Sequence, residues 1–208
     1  MLKTLIITSH VEKPSQAAID FTAFDTVICA DGGYLIAKKL GLKPDLMIGD
    51  FDSCPMPEDI DLVKLPMEKD MTDSEAAIDL AVSRGAEQVV VLGGLGGRFD
   101  HTMGNMGMLA KYCGRLEHMA FVDGQNYVFM IEPGVCQVPR NPYRFLGIIS
   151  YGGNAAGVSL GGVKYPLTDH LLTNTTTLGV SNEIVGENAS IAFSSGRLLI
   201  ILSKDADN

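Results

Sequence analysis

Residues 88–114 read QVVVLGGLGGRFDHTMGNMGMLAKYCG. A β-branched apolar run, Gln88 to Leu92, gives way to four glycines in five positions, Gly93, Gly94, Gly96 and Gly97, and then to a helix-like segment starting near Asp100. Strand, glycine turn and helix in that order belong to a β-α-β unit and point to a mostly parallel sheet. Glycines there let the backbone bend tightly and bring its N–H groups against a ligand, and the following helix adds its positive end. A phosphate cradle is one reading of this turn, and a flexible loop is the other. The pattern is neither a Walker A motif, since no Gly-Lys-Ser/Thr follows, nor a Gly-x-Gly-x-x-Gly fingerprint. Arg98 can clamp phosphate oxygens bidentately, and Asp100 can join an acidic set. His101 reads as a base, a hydrogen-bond donor or a helix-start residue.

The same rhythm extends over residues 1–124. Short apolar runs (TLIIT, DTVICA, DLMIGD, LVKLP, QVVVLGG, MAFVDG) alternate with helix-like segments (GYLIAKKLG, TDSEAAIDLAVSRG, DHTMGNMGMLAKYCG). Continuously apolar strands are expected where helices cover both faces of a sheet, so this part is α/β with a Rossmann-like sheet. Thr72 to Glu75 forms a capping box, Gly85 is placed to stop that helix, and Ala76, Ala77, Leu80 and Ala81 make its apolar stripe. From residue 125 to 208 the helical period disappears. NYVFMIE, VCQV, FLGIISYGG, GVSLGGVKYPL, ASIAFSS and GRLLIILS are turn-bounded and β-rich, which predicts a smaller antiparallel β-sandwich domain.

Bulk properties narrow the function. A chain of 208 residues, 46% apolar, can bury a substantial core. A net charge of −9 and no basic stripe argue against nucleic acid as a partner. Cys29, Cys54, Cys113 and Cys136 lie far apart without a Cys-x-x-Cys pair, so neither a zinc site nor a disulfide framework is expected, and a cytoplasmic location fits. The apolar part of MLKTLIITSH is too short for a secretory leader, and nowhere do about 18 apolar residues run together, so no membrane association is expected.

In open α/β sheets ligands collect outside the carboxyl ends of the strands, and acids and glycines recur there in this chain. ADGG follows the second run and puts Asp31 and Gly32 at a tight turn or at a ligand edge. GDFDS follows the third, with Asp50 and Asp52 two apart. On extended backbone both carboxylates would face one cation, while a solvated turn capped by Ser53 is the alternative. EKDMTD follows the fourth, with Lys69 and Asp70 ahead of Thr72 and Asp73. Helix capping explains Asp73 by itself, whereas Lys69 adds a cation able to meet a phosphate. The first run ends in TSH without the glycines of a dinucleotide fold, which disfavours NAD or FAD. In the second half, Tyr165 and the pair Ser181–Asn182 are either ordinary turn and core residues or an aromatic plate with directional polar groups.

The order and spacing of ADGG, PDLMIGDFDS, KDMTDSEAA, GGLGGRFDH and the late GVSNE resemble the thiamine pyrophosphokinase family over essentially the whole chain. The resemblance implies a nucleotide-binding catalytic domain over 1–124, a thiamine-binding domain over 125–208, and a homodimer with active sites between subunits. It implies transfer of the pyrophosphoryl group of ATP to the hydroxyethyl oxygen of thiamine, giving thiamine diphosphate and AMP, with Mg²⁺ as cofactor. By the same resemblance Asp50, Asp52, Asp73 and Asp100 hold the metal and triphosphate. Lys69, Asp70, Thr72, Arg98 and His101, with Asp31 and Gly32, lie by the nucleotide. Ser181 and Asn182 contact thiamine, and Tyr165 stacks on it where some relatives carry tryptophan. Competing readings are a pterin-alcohol pyrophosphokinase, an Asp-x-Asp phosphatase or nucleotidyl-sugar transferase, and a nucleotide or thiamine sensor without turnover.

Overall fold

The computed structural model describes residues 1–12, 14, 17–51, 59–66 and 70–206. The chain divides into two compact units, Met1–Gly124 and Gln125–Asn208.

In the first unit the apolar runs become strands β1 (Lys3–Ile7), β2 (Thr26–Ala30), β3 (Leu46–Gly49), β4 (Asp61–Lys64), β5 (Gln88–Leu92) and β6 (His118–Val122). They lie in the order β4-β3-β2-β1-β5-β6, and each neighbouring pair is parallel. The chain steps outward from β1 to β4, then crosses back to the far side of β1 as β5. The strand order therefore reverses between β1 and β5. Leu5, Ile6 and Ile7 are wholly buried in succession, as are Val91 and Leu92, so both faces of these central strands are covered. Burial of each such side chain stabilises the fold by about 1.5–3 kcal/mol. Strand β4 departs from the expected apolar pattern. It lies at the sheet edge, where only Val63 is not exposed, so its Asp and Lys face water.

Helix α1 (Gly33–Lys39) packs on β1 and β2, α2 (Asp73–Ser83) on β1, β2 and β3, and α3 (Phe99–Tyr112) on β6. Thr72 caps α2, its hydroxyl accepting from the Glu75 N–H at 3.1 Å, and Gly85 beyond the last turn adopts φ +88°. The buried face of α2 is Ala76, Ala77, Ile78 and Ala81, with Ile78 in the place expected for Leu80, which is only half-buried. Lys111 reaches Glu75 at 3.1 Å and Asp79 at 3.0 Å, and the Tyr112 hydroxyl also donates to Asp79. These bonds tie the last turn of α3 to the first half of α2.

Half-buried His118 opens β6, and burial pushes its imidazole below the ordinary value of 6.5, with Glu117 opposing that shift. The folded chain then binds fewer protons than the unfolded chain, so this contribution is complete above the ordinary value and is lost as pH falls below it. The urea midpoint should fall between about pH 7 and about pH 5.5, and His118→Gln should flatten that fall. An unchanged slope in the variant would assign the acid loss to other groups.

In the second unit β7 (Asn126–Ile131), β13 (Leu198–Ser203) and β9 (Phe145–Ser150) form antiparallel neighbours in that order. A separate antiparallel sheet has the order β11 (Leu167–Leu172), β10 (Ala155–Gly161), β12 (Asn188–Phe193), β8 (Gly134–Pro139). Burial alternates along β9 and β12, as expected for strands with one face on a core. Strand β11 departs from the sequence expectation. Its LTDHLL carries Thr and Asp on an edge strand, and that polarity hides it beside the apolar β10.

Candidate active site

The carboxyl ends of β1, β2 and β5 meet where the strand order reverses, the place at which open α/β sheets bind ligands. The segment after β1 and the glycine turn after β5 are locked together there. The Thr8 hydroxyl lies 3.2 Å from the Leu92 carbonyl and 3.1 Å from the His10 carbonyl. The Gly94 N–H donates to that same His10 carbonyl at 3.4 Å. Gly93 has φ +101°, and a Cβ on it would stand 2.2 Å from the Thr8 hydroxyl and 2.4 Å from the His10 carbonyl. Buried Asn105, on α3, donates to the Gly94 carbonyl at 2.8 Å. The glycine turn is thus held in place by the segment after β1 and by α3.

Three recesses open around it. The largest, about 400 Å³, lies under the glycine turn and is lined by Thr8, Ser9, His10, Ser74, Gly94, Gly96, Gly97, Arg98, His101 and Asn105. A second, about 150 Å³, is lined by Asp31 and Asp73 with Ser9, Thr72 and Ser74, among others. A third, about 200 Å³, lies between α2 and α3 and includes Thr72, Glu75 and Asp100. His101 lines all three, which raises it from a helix-start residue to a side chain at their junction.

The sequence-predicted residues distribute over these recesses unevenly. Asp31 and Asp73 share one, and one Asp31 carboxylate oxygen is buried without a hydrogen-bond partner among the described residues. Asp50 follows Gly49, whose added Cβ would lie 3.1 Å from the Asp31 Cα, so the ends of β2 and β3 are in close contact. Asp31 and Phe51 hold φ values of 47° and 59°. Such left-handed backbone costs about 1–2 kcal/mol per non-glycine residue and is tolerated mainly at functional positions. Gly32 packs against Ser9, and Asp70 is exposed just ahead of Thr72. Asp100 lines a different recess from Asp31 and Asp73. Arg98 binds its carboxylate with two donors, at 3.2 and 2.6 Å, and that bond holds the carboxyl below the usual carboxylate range. Asp52 and Lys69 lie outside the described residues.

In the second unit Asn182 is 5% exposed and both ends of its amide are hydrogen-bonded. The oxygen accepts from the Tyr165 and Glu183 N–H groups at 3.0 and 2.9 Å, and the nitrogen donates to the Tyr165 carbonyl at 2.8 Å. Asn182 therefore pins the backbone of Tyr165, whose ring is 61% exposed with the Lys164 ammonium 5.6 Å from its centre. Ser181 is exposed, with φ +61°. Asn182→Ala should cost the unit about 1–3 kcal/mol, because truncation leaves buried backbone groups without partners. Denaturant unfolding checks this, and a loss below half a unit of that range would show that water replaces the amide.

Sequence reasoning overlooked Thr8, Ser9, His10, Ser74 and Asn105. The only signal for the first three was their place after a strand, which is shared by every loop at that edge. Asn105 reads as one more polar residue within a helix until Gly94 is placed beside it.

A family model described as thiamin pyrophosphokinase, catalytic domain, matches residues 20–119, and one described as thiamin pyrophosphokinase, vitamin B1 binding domain, matches residues 135–198. A thiamine pyrophosphokinase of Bacillus subtilis (strain 168) is 30% identical over 186 residues, covering 86% of this chain and 87% of that protein. Thiamin pyrophosphokinase 1 of Caenorhabditis elegans is 28% identical over 170 residues, covering 76% and 70%. The crystal structure of a thiamin pyrophosphokinase from Geobacillus thermodenitrificans superposes with a TM-score of 0.84 at 31% identity, covering 100% of this chain and 99% of that one.

Proposed function

Because this chain belongs to the thiamine pyrophosphokinase family, we propose that the three recesses of the first unit form its ATP site. The family's activity, which this chain shares, is that of an ATP-dependent diphosphotransferase that makes thiamine diphosphate. The pyrophosphoryl group of ATP passes directly to the hydroxyethyl oxygen of thiamine, and AMP leaves. The observation that carries this reading is the division of charge around His101. The glycine turn and Arg98 line one recess, and Asp31 and Asp73 line the next.

Transfers of this kind ask the protein chiefly for positioning and charge neutralisation. The N–H groups of Gly96 and Gly97 and the positive end of α3 hold phosphate oxygens, and Arg98 clamps them. Among the described residues no three His, Cys, Asp or Glu side chains converge as a complete metal site. Hard oxygen donors from a few carboxylates nevertheless suit Mg²⁺, which keeps waters and takes substrate phosphate oxygens as further ligands. The partnerless oxygen of Asp31 fits that role. Asp31, Asp50, Asp52 and Asp73 would hold the ion, and Asp100 would join them when Arg98 turns to phosphate. When bound, Mg²⁺ neutralises charge developing on the phosphate oxygens. While paired with Arg98, Asp100 is a weak base for the hydroxyl proton of thiamine.

Lys69, Asp70 and Thr72 border the nucleotide, with Gly32 letting the end of β2 close against Ser9. Thiamine lies on the second unit, with Tyr165 as its stacking plate and Ser181 beside it, while Asn182 holds Tyr165 in place. The active protein is a cytoplasmic homodimer with sites between subunits. Among the described residues no helix is long and apolar enough to cross a membrane.

Incubation of the pure protein with Mg²⁺, ATP and thiamine should yield AMP and thiamine diphosphate in equal amounts by chromatography. ADP or free phosphate with a trappable phospho-aspartate would indicate a phosphatase. Product only with a pterin alcohol would move the substrate, and ATP binding without AMP would indicate a sensor.

A further inference from the structure

Among the described residues, the recess under the glycine turn is lined by three side chains that can carry positive charge, His10, Arg98 and His101, and by no carboxylate, with Glu12 at its edge against Gly96, in a chain of net charge −9. Acids line the neighbouring recesses instead. Of the three, His10 is the one that the family motifs leave unassigned, and the glycine turn holds it on two sides. Its carbonyl receives the Gly94 N–H, and its ring stands against Gly97, where an added Cβ would lie 3.1 Å from Nε2. The side chain is 58% exposed. Glu12 Oε1 lies 4.0 Å from Nε2, too far for a hydrogen bond, so it does not consume that donor.

We propose that His10 is an anion-binding residue of this recess, donating to polyphosphate oxygens of the nucleoside triphosphate beside Arg98 and the glycine-turn N–H groups. This rests on the ATP site proposed above and adds a residue to it. Where dinucleotide folds follow the first strand with glycines whose amides meet phosphate, this chain follows β1 with Thr8-Ser9-His10 and supplies a side-chain donor. An imidazole donates in either protonation state and gains strength when charged.

His10→Ala and His10→Lys test this in two assays, steady-state turnover of Mg-ATP with thiamine and calorimetric titration of inorganic tripolyphosphate. In His10→Ala, KM for ATP should rise about tenfold and tripolyphosphate affinity should fall about as much, while kcat and the KM for thiamine stay within about twofold. His10→Lys should recover most of both losses. Unchanged ATP KM and tripolyphosphate affinity in His10→Ala would overturn the proposal. So would equal losses in both variants accompanied by a lower urea midpoint, which would mark a structural role. If the wild-type protein forms no AMP, the proposed activity fails, and the tripolyphosphate titration still decides the role of His10.

Discussion

Gly93→Ala is expected to destabilise the first unit by about 2–5 kcal/mol, the sum of left-handed backbone strain and a clash in a close-packed turn. The added methyl would meet the Thr8 hydroxyl at 2.2 Å, the His10 carbonyl at 2.4 Å and Val11 Cγ2 at 2.9 Å. Thr8 is itself anchored to β5, and the backbone at His10 is bonded to Gly94, so the turn has nowhere to retreat. Against a typical total stability of about 5–15 kcal/mol, that loss is a large fraction. Two other glycines calibrate it. Gly85 has φ +88° with open space around it, so Gly85→Ala should cost only the backbone part, about 1–2 kcal/mol. Gly104, inside α3 with nothing within 4 Å of an added Cβ, should gain about 0.5–1 kcal/mol as alanine. Urea midpoints of the three variants give the ranking, and equal losses at Gly93 and Gly85 would refute the close contact.

The second large effect is on turnover. Asp52→Asn and Asp73→Asn should each lower kcat on the order of 10³-fold, the scale of removing a charge-stabilising group from a preorganised site. Stability should scarcely change. Asp73 lies in the first turn of α2, where losing its charge costs about 0.3–1 kcal/mol against the helix dipole. The expected signature is therefore inactive protein with a near wild-type unfolding midpoint. An active Asp52→Asn enzyme would remove that carboxylate from the mechanism, and an active Asp73→Asn enzyme would reduce Asp73 to a capping residue.

The parts of the molecule that could be read from the sequence share a physical character. The strands of the first unit are apolar on both faces, so β1, β2, β3, β5 and β6 announce themselves by composition. The start of α2 is equally plain, since Thr72 caps it through a bond only three residues long. Strand β11 was hidden because an edge strand exposed to water has little need of apolar residues, and Ile78 displaced Leu80 because the helix face is set by the sheet beneath it.

The site divides along the same line. The sequence alone determined the order of motifs, and with it the family, because each motif is a local pattern whose residues are neighbours in the chain. Only the tertiary structure decided which of those residues share a recess. It placed Asp31 with Asp73, turned Asn182 inward onto Tyr165, and brought His10 and Asn105 to a glycine turn more than 80 and about 10 residues away in the chain, respectively. The meetings of Asp31 with Asp73 and of His10 with the glycine turn depend on the strand order reversing at β1 and on the register of parallel strands, which are non-local contacts that no short stretch of sequence encodes.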